Sequence, residues 1–443
     1  MVKFIHTADI HLDSPLKGLE AHEDAPVEEI RGATRRAFDK MIELAIEENV
    51  NFVLIAGDLY DGDWKDYNTG LFFAGRMGKL SRAGIRVFIV SGNHDAASQI
   101  TRAMPLPENV TFLSTKKPQS VKLDYLGVII HGQGYSVRAV TDNLACRYPQ
   151  YDPGYFNIGM LHTSLTGRQG HETYAPCSTD ELKSKGYDYW ALGHVHKREI
   201  IDKAPWIVFP GNIQGRHIRE TGVKGVTLVT VEDGSITDVT EKELNVVRWA
   251  VCKVDMSECE TMDEVNDAVR LRLEQELDKT DGKTLAVRLI LTNKCPVHAQ
   301  LINRTAQLTE EFKGIAAGTG DIWIEKIKFQ TSREKSLEEI FGDDTPIAGL
   351  LKSIQQLKLD EETILELVPE LSALKRKLPP EIYNNPAIHH NNESFLDPSP
   401  DLDLSPDLDP SPDLDPSPDN IDMLRNEVQE ILIARLLQHG DNK

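Results

Sequence analysis

Short apolar runs, each closed by a polar or glycine-rich stretch, recur along the first 240 residues. They are 52–56 (FVLIA), 87–90 (VFIV), 127–130 (GVII), 158–161 (IGML) and 189–192 (YWAL), and they read as strands. Between the first two runs and the chain start lies an amphipathic stretch, 35–48, with Ala37, Phe38, Met41, Leu44 and Ala45 at helical spacing. After His196 the pattern turns to pure β, with runs at 206–209 and 225–229 separated by turns. The succession predicts an α/β fold over 1–245: a two-sheet β-sandwich flanked by helices, in four layers.

A second alternation follows over 246–332. It reads strand (249–254), helix (262–277), strand (285–291), helix (297–312) and strand (322–329), a small α+β capping module without recognisable catalytic residues. From 333 to 380 the sequence is helical and amphipathic until Pro379 and Pro380 interrupt it. The segment 381–419 contains four hexapeptides, LDPSPD, LDLSPD, LDPSPD and LDPSPD, over 396–419. Proline at this density removes backbone donors and fixes φ, which forbids helix and sheet and predicts an extended, solvated, disordered linker. Fully extended at about 3.1 Å per residue, the repeats reach about 75 Å. The linker ends at 420–437, where Ile421, Leu424, Val428, Ile431, Leu432 and Leu436 form an apolar stripe behind a cap from Asp419 or Asn420. A helix this short is marginal alone in water, so it is expected to dock on its own chain or on a partner.

Length agrees with several domains: 443 residues exceed one ordinary domain, and 40% apolar content is ample for real cores. Met1, Val2 and Lys3 run straight into a strand, so no signal peptide is read, and no run approaches membrane-spanning length. Five scattered cysteines (Cys146, Cys177, Cys252, Cys259, Cys295) without a C-x-x-C pair read as reduced thiols of a cytoplasmic protein. The net charge of −21 opposes a broadly basic nucleic-acid surface. Part of it is remote: 386–443 carries 13 acidic and 3 basic residues, so −10 lies there and −11 in the first 385 residues.

The chemistry sits at the ends of the strand-like runs, where open α/β sheets place their sites. Asp9 and His11 follow the strand-like run 4–8 at the chain start; Asp58 and Asp61 follow 52–56. Asn93 and His94 lie in a G-N-H-D loop, His162 closes a later run, and His194 and His196 occupy G-H-V-H. Aspartate, histidine and asparagine supply hard oxygen and borderline nitrogen donors suited to manganese, iron or zinc. Two ions about 3.5–4 Å apart need a bridging carboxylate, and Asp58 is the natural bridge. His94 is placed to protonate a leaving oxygen, and Asp61 or Asp95 can orient its ring. His6, His131 and His217 are read as structural.

The segments 6–12, 57–61, 92–95 and 189–196, with a weaker match at 210–216, resemble the calcineurin-like metallophosphoesterase superfamily. Within it they are most similar to the DNA repair exonuclease branch of SbcD nuclease subunits and YhaO-like proteins. The resemblance covers roughly residues 1–330 and implies a metal-dependent DNA phosphodiesterase with two divalent ions, most commonly Mn2+. It implies a first metal on Asp9, His11, Asp58 and His196, a second on Asp58, Asn93, His162 and His194, and His94 as the transition-state histidine. Eukaryotic and archaeal nucleases of this kind often carry histidine where this chain has Asp61, and the acidic hexapeptides have no expected counterpart. The chain has no G-x-x-x-x-G-K-[ST] motif, so the implied ATP-driven DNA opening belongs to a partner, an SMC-like coiled-coil ATPase gripped by 336–378 and 421–437. Homodimerisation through a helix of the catalytic domain is usual in the family.

Two other readings compete. Protein phosphatases of the superfamily carry Asp-Arg-Gly after the bridge and G-N-H-E; here stand Asp61, Gly62, Asp63 and Asp95, without that arginine. A small-molecule phosphodiesterase, of cyclic-nucleotide type, uses the same donors but needs neither the second module nor the tethered helix. A non-catalytic scaffold of an ATPase complex is the remaining alternative, although every donor position is chemically competent.

Overall fold

The computed structural model describes residues 1–14, 26–61, 67–97, 106–165 and 174–333. The expected elements at 333–380, 381–419 and 420–437 therefore lie, apart from residue 333, outside the described residues.

Among the described residues the sandwich has twelve strands. β1 (Val2–Thr7), β2 (Phe52–Ala56), β3 (Arg86–Val90) and β4 (Val110–Phe112) are parallel neighbours in the first sheet. β11 (Gly225–Glu232) and β12 (Ser235–Glu243) return antiparallel against β1, giving the order β12-β11-β1-β2-β3-β4. The second sheet contains β5 (Gln119–Leu123), β6 (Val128–Gly132), β7 (Phe156–His162), β8 (Tyr189–Gly193), β9 (Glu199–Lys203) and β10 (Trp206–Phe209), in the order β5-β6-β7-β8-β10-β9. Its central strands β6, β7, β8 and β10 are parallel.

Why the central runs are apolar throughout becomes plain from their two faces. Along β2, Phe52, Leu54 and Ala56 point between the sheets, where they meet Phe4, Phe88, Ile130, Ile158, Met160 and Ala191. Val53 and Ile55 point the other way, against Phe38, Met41 and Ala45 of α1 (Val27–Glu47) and Phe73 and Met77 of α2 (Tyr67–Arg82). A strand covered on both faces has no use for polar alternation. On the far side Trp190, Leu192, Leu161 and Phe209 pack with Leu182 of the helix Thr179–Ser184 and with Tyr148 and Tyr187. That helix starts with a capping box, Ser178 and Glu181 satisfying each other's backbone N–H groups. Two sheets between two helical coverings form the four-layer α/β sandwich.

Helix α1 starts at Val27, eight residues before the expected start, because Ile30, Ala33 and Thr34 extend the same buried stripe toward the N-terminus. The stretch 67–82, unremarked in the sequence, is helix α2; its buried Phe73, Met77 and Leu80 recur at helical spacing, diluted by glycines.

Three further strands, β13 (Val247–Asp255), β14 (Thr284–Lys294) and β15 (Ile322–Ser332), form one sheet in the order β13-β14-β15. With them run the helices Met262–Leu277, His298–Asn303 and Thr305–Thr319. The expected single helix over 297–312 is thus two, parted at Arg304. The Thr305 hydroxyl donates to the carbonyls of Leu301 and Ile302 (3.1 and 2.9 Å), a side-chain competitor to regular helix bonding. By compactness the chain divides into two units, one of residues 1–252, 274–288 and 319–326 and the other of the remainder, so the division falls within these strands. Among the described residues no helix is long and apolar enough to cross a membrane.

Candidate metal centre

The loops after β1 and β2 are laced together: Asp9 N donates to Gly57 O (3.0 Å), His11 N to Asp58 O (3.0 Å) and Leu12 N to Leu59 O (2.9 Å). Lacing at this spacing forces left-handed backbone on Asp9 (φ 50°), His11 (φ 46°), Asp13 (φ 58°) and Asp58 (φ 52°); His194 sits at φ 101°. For residues with a Cβ such conformations cost on the order of 1–3 kcal/mol each and persist only where the surroundings dictate them. Their concentration on four of the candidate donors marks this place in the fold.

Two glycines let the layers close here. A Cβ on Gly57, itself at φ 97°, would strike the His162 ring, and one on Gly193 would overlap the Ala56 carbonyl oxygen. Asp13 ties the first loop to both helices, accepting from the Arg35 guanidinium of α1 and from Thr69 Oγ1 of α2 (2.5 Å).

The structure brings Asp9, His11, Asp58, His94, His162 and His196 together, whereas His194 belongs to none of their sets and is placed by its ring packing and backbone N–H. Asp9, His11 and His196 offer atoms within 4.8 Å of one another, as do His11, Asp58 and His94, and Asp9, Asp58 and His162. Asp58 and Asp9 thus belong to overlapping sets. His162 Nε2 lies 3.4 Å from Asp58 Oδ2 and 3.0 Å from Asn93 Oδ1, while its Nδ1 meets Ala56 O at 2.9 Å. A carbonyl can only accept, so Nδ1 carries the proton and Nε2 faces the donor cluster. His11 Nε2 and His196 Nε2 converge to 3.3 Å. The His194 ring packs edge-on to His162, centroids 5.2 Å apart, and its backbone N–H donates to both Asp9 oxygens at 3.0 Å.

Electrostatics fit a cation site. Asp9 and Asp58 are buried at 1% and 2% exposure, which alone would favour neutral carboxyls. Burial does raise the Asp9 pKa. It also pushes Asp58 up, but His162, His94 and His11 around it hold its carboxyl well below the usual range. Burial lowers His11 to about 4 and so keeps that ring neutral, the form that ligates a metal. Carboxylates, imidazoles and an amide oxygen converging in one place match manganese, iron or zinc by donor chemistry, and the overlap at Asp58 suits a pair of ions.

Asp61 and Asp95, both candidates to orient His94, separate in space. His94 Nδ1 lies 2.8 Å from Asp61 Oδ1. Burial opposes protonation of His94, but the Asp58 charge and the Asp61 contact outweigh it and raise the pKa to about 9. Asp95 instead accepts from the backbone N–H of Tyr60 and Gly92, both at 3.0 Å, and shapes the loop. Ser14 Oγ donates to Asp61 Oδ2 at 2.5 Å.

Sequence reasoning missed Glu220. It accepts from His196 Nδ1 (2.6 Å), Asn212 Nδ2 (2.9 Å) and Arg216 N (2.7 Å), and the Arg216 guanidinium reaches it at 3.2 Å. Burial pushes its carboxyl up, yet Arg216, His196 and His217 hold it well below the usual range. The weak match at 210–216 was the only signal leading toward this corner. His6 and His131 lie apart from the cluster: His6 bridges Tyr189 Oη (3.0 Å) and Leu192 O (3.1 Å), and His131 meets Ser120 Oγ (2.8 Å) and stacks on Tyr187. His217 Nε2 faces Glu220 at 3.8 Å.

Comparison with known proteins gives matches to two family models and to a relative. Residues 2–198 match the model of calcineurin-like phosphoesterases, and 249–332 match that of the middle domain of the metallophosphoesterase YhaO. The chain is 33% identical over 367 residues to a protein of Bacillus subtilis (strain 168) described as the uncharacterized metallophosphoesterase YhaO, covering 81% of this chain and 88% of the relative. Among solved structures, a dimetal phosphatase from Danio rerio aligns with a TM-score of 0.33 at 10% identity, covering 55% of this chain and 98% of that one. With its donor cluster, its sandwich and a relative of this identity and coverage, the chain belongs to the calcineurin-like metallophosphoesterase superfamily, in its YhaO-like branch.

Proposed function

We propose that this phosphoesterase is a Mn2+-dependent DNA phosphodiesterase acting in repair in the cytoplasm, with His94 as general acid. One observation carries the chemistry: the His94–Asp61 pair, at 2.8 Å, stands beside the Asp9–Asp58–histidine cluster. Asp9, His11, Asp58 and His196 would hold one ion, and Asp58, Asn93, His162 and His194 the other. Bound there, the two ions would supply Lewis acidity toward the phosphoryl oxygens and lower the pKa of an attacking water.

The chain's own residues do the rest. The His94 backbone N–H donates to Asp58 Oδ1 at 3.0 Å, fixing the loop against the shared carboxylate. Asp61 engages His94 through Nδ1, which leaves Nε2 to deliver a proton to the departing oxygen. A diester is favoured over a monoester because Asp61, Gly62 and Asp63 stand where protein phosphatases carry Asp-Arg-Gly, so the arginine that would hold the dianion is missing. Arg216, which does reach this corner, is engaged by Asp61 and Glu220.

DNA as the diester is supported by the resemblance of 6–12, 57–61, 92–95 and 189–196 to DNA repair exonucleases. It is supported too by the added module and tethered C-terminal segment, which a small-molecule enzyme would not need. A coiled-coil ATPase partner follows from the same reasoning, since the chain has no nucleotide-binding P-loop of its own. The test is a manganese-dependent assay on linear double-stranded DNA, single-stranded DNA and bis-p-nitrophenyl phosphate. Cleavage of DNA along with the small diester is expected. Hydrolysis of the small diester alone would make this a small-molecule phosphodiesterase, and no turnover with metals bound would make it a scaffold.

A further inference from the structure

Arg216 joins two parts of the site that the sequence keeps far apart. Its guanidinium is nearly buried, with 5% of the side chain exposed, and it lies beside two carboxylates at once. Nη2 is 3.2 Å from Glu220 Oε1, and Nη1 is 3.8 Å from Asp61 Oδ2. Each carboxylate holds a different histidine: Glu220 holds His196 Nδ1 at 2.6 Å, and Asp61 holds His94 Nδ1 at 2.8 Å. Arg216's own backbone N–H also donates to Glu220 Oε2 at 2.7 Å, so residue and partner are locked as one turn. Asn212 Nδ2 braces the same oxygen at 2.9 Å, and Lys224 Nζ holds the His196 carbonyl at 2.7 Å.

From this geometry we infer that Arg216 is a positioning residue that couples the orientation of His196, on the metal side, to that of His94, on the proton-donating side. The inference rests on the diesterase reading, in which those two histidines have those two roles. A planar guanidinium suits the task because it can face two carboxylates in fixed directions, whereas an ammonium acts as a single point charge. The coupling requires Arg216 to influence two otherwise unrelated properties: retention of one ion, and assistance to the leaving group.

The experiment compares Arg216→Lys, Arg216→Gln and Glu220→Gln with the wild type in the full chain. Mn2+ binding is followed by isothermal titration. Turnover is followed on bis-p-nitrophenyl phosphate, whose leaving group needs little protonation, and on a diester with a poor, alkoxide-like leaving group. For Arg216→Gln, one of two Mn2+ equivalents should weaken by about tenfold or more, as for loss of a partner behind a metal-binding histidine. Its kcat should fall far more on the poor leaving group than on the good one, and Arg216→Lys should rescue neither fully. Glu220→Gln should weaken the same Mn2+ equivalent but leave the leaving-group discrimination near wild type. If Arg216→Gln keeps both Mn2+ affinities and the wild-type ratio between the two diesters, the inference is wrong. If it lowers turnover on both diesters equally, Arg216 is merely structural and the inference is wrong as well. A wild type that hydrolyses neither diester sinks the underlying diesterase reading instead.

Discussion

The half-buried His94 and the buried His162 both lie beside Asp58, yet their ring contacts give them different work. His94 spends Nδ1 on Asp61, whereas His162 spends Nδ1 on the Ala56 carbonyl and turns Nε2 toward Asp58 and Asn93. His94→Gln is therefore expected to keep both metals while losing on the order of 10²–10⁴-fold in phosphodiester turnover, the usual contribution of a general acid. His162→Ala should lose one metal. Elemental analysis beside kinetics checks both, and wild-type turnover with either change would remove the assignments.

His6 makes a separate residue-scale expectation. Leu192 O can only accept, so His6 Nε2 carries the proton and Nδ1 accepts from Tyr189. Burial drives its pKa down to about 3 from an ordinary value of 6.5. The unfolded chain thus gains a proton near pH 6.5 that the folded one refuses until about pH 3, and stability falls as pH drops through that window. With chelator present, His6→Gln should flatten the pH dependence of the urea unfolding free energy between pH 6 and 4 by up to about 1.4 kcal/mol per pH unit. An unchanged slope would show that His6 is not the group responsible.

At the scale of elements, the site depends on how tightly strand ends approach. Gly193 closes β8 directly against the end of β2, leaving no room for a Cβ beside the Ala56 carbonyl. Gly193→Ala must push the two sheets' ends apart, at a cost of about 1–3 kcal/mol or more, and should weaken metal binding along with stability. Phe52→Ala removes the ring stacked on Phe4 (centroids 5.1 Å apart) from the inter-sheet core. It is expected to cost about 3–5 kcal/mol, read as a shifted denaturation midpoint. Metal affinity measured well below that midpoint should stay near wild type, since Phe52 lies at the other end of β2 from Asp58. Loss of metal binding by Phe52→Ala but not by Gly193→Ala would reverse this account of where the site's precision comes from.

For the whole molecule, net charge bears on the substrate proposed above. A net charge of −21 gives the chain little electrostatic affinity of its own for DNA, which is why the proposed function invokes a partner. Deleting 396–443 should leave hydrolysis of bis-p-nitrophenyl phosphate unchanged, because none of the site residues lies there. Association with a co-expressed coiled-coil ATPase should weaken, and unchanged association would show that the terminal segment is the wrong element.

The sequence by itself determined the candidate donors Asp9, His11, Asp58, Asn93, His162, His194 and His196 and the candidate acid His94, since each follows an apolar run recognisable by its own composition. It also announced the alternation of strand and helix, because burial on both faces leaves a continuous apolar signature in β2, β3, β7 and β8. Tertiary structure alone decided the rest. The strand order β12-β11-β1-β2-β3-β4 brings the return strand β11 beside β1, a pairing between residues more than two hundred positions apart that no local pattern encodes. The choice of Asp61 over Asp95 as the partner of His94 depended on which carboxylate the loop's own N–H groups consumed. Glu220 and Arg216 lie in an irregular loop without periodicity, and their role emerges only when the fold sets Asp61, His94 and His196 around them. Local hydrophobic pattern records what each segment must bury, while the pairing of distant polar groups is a property of the packed whole.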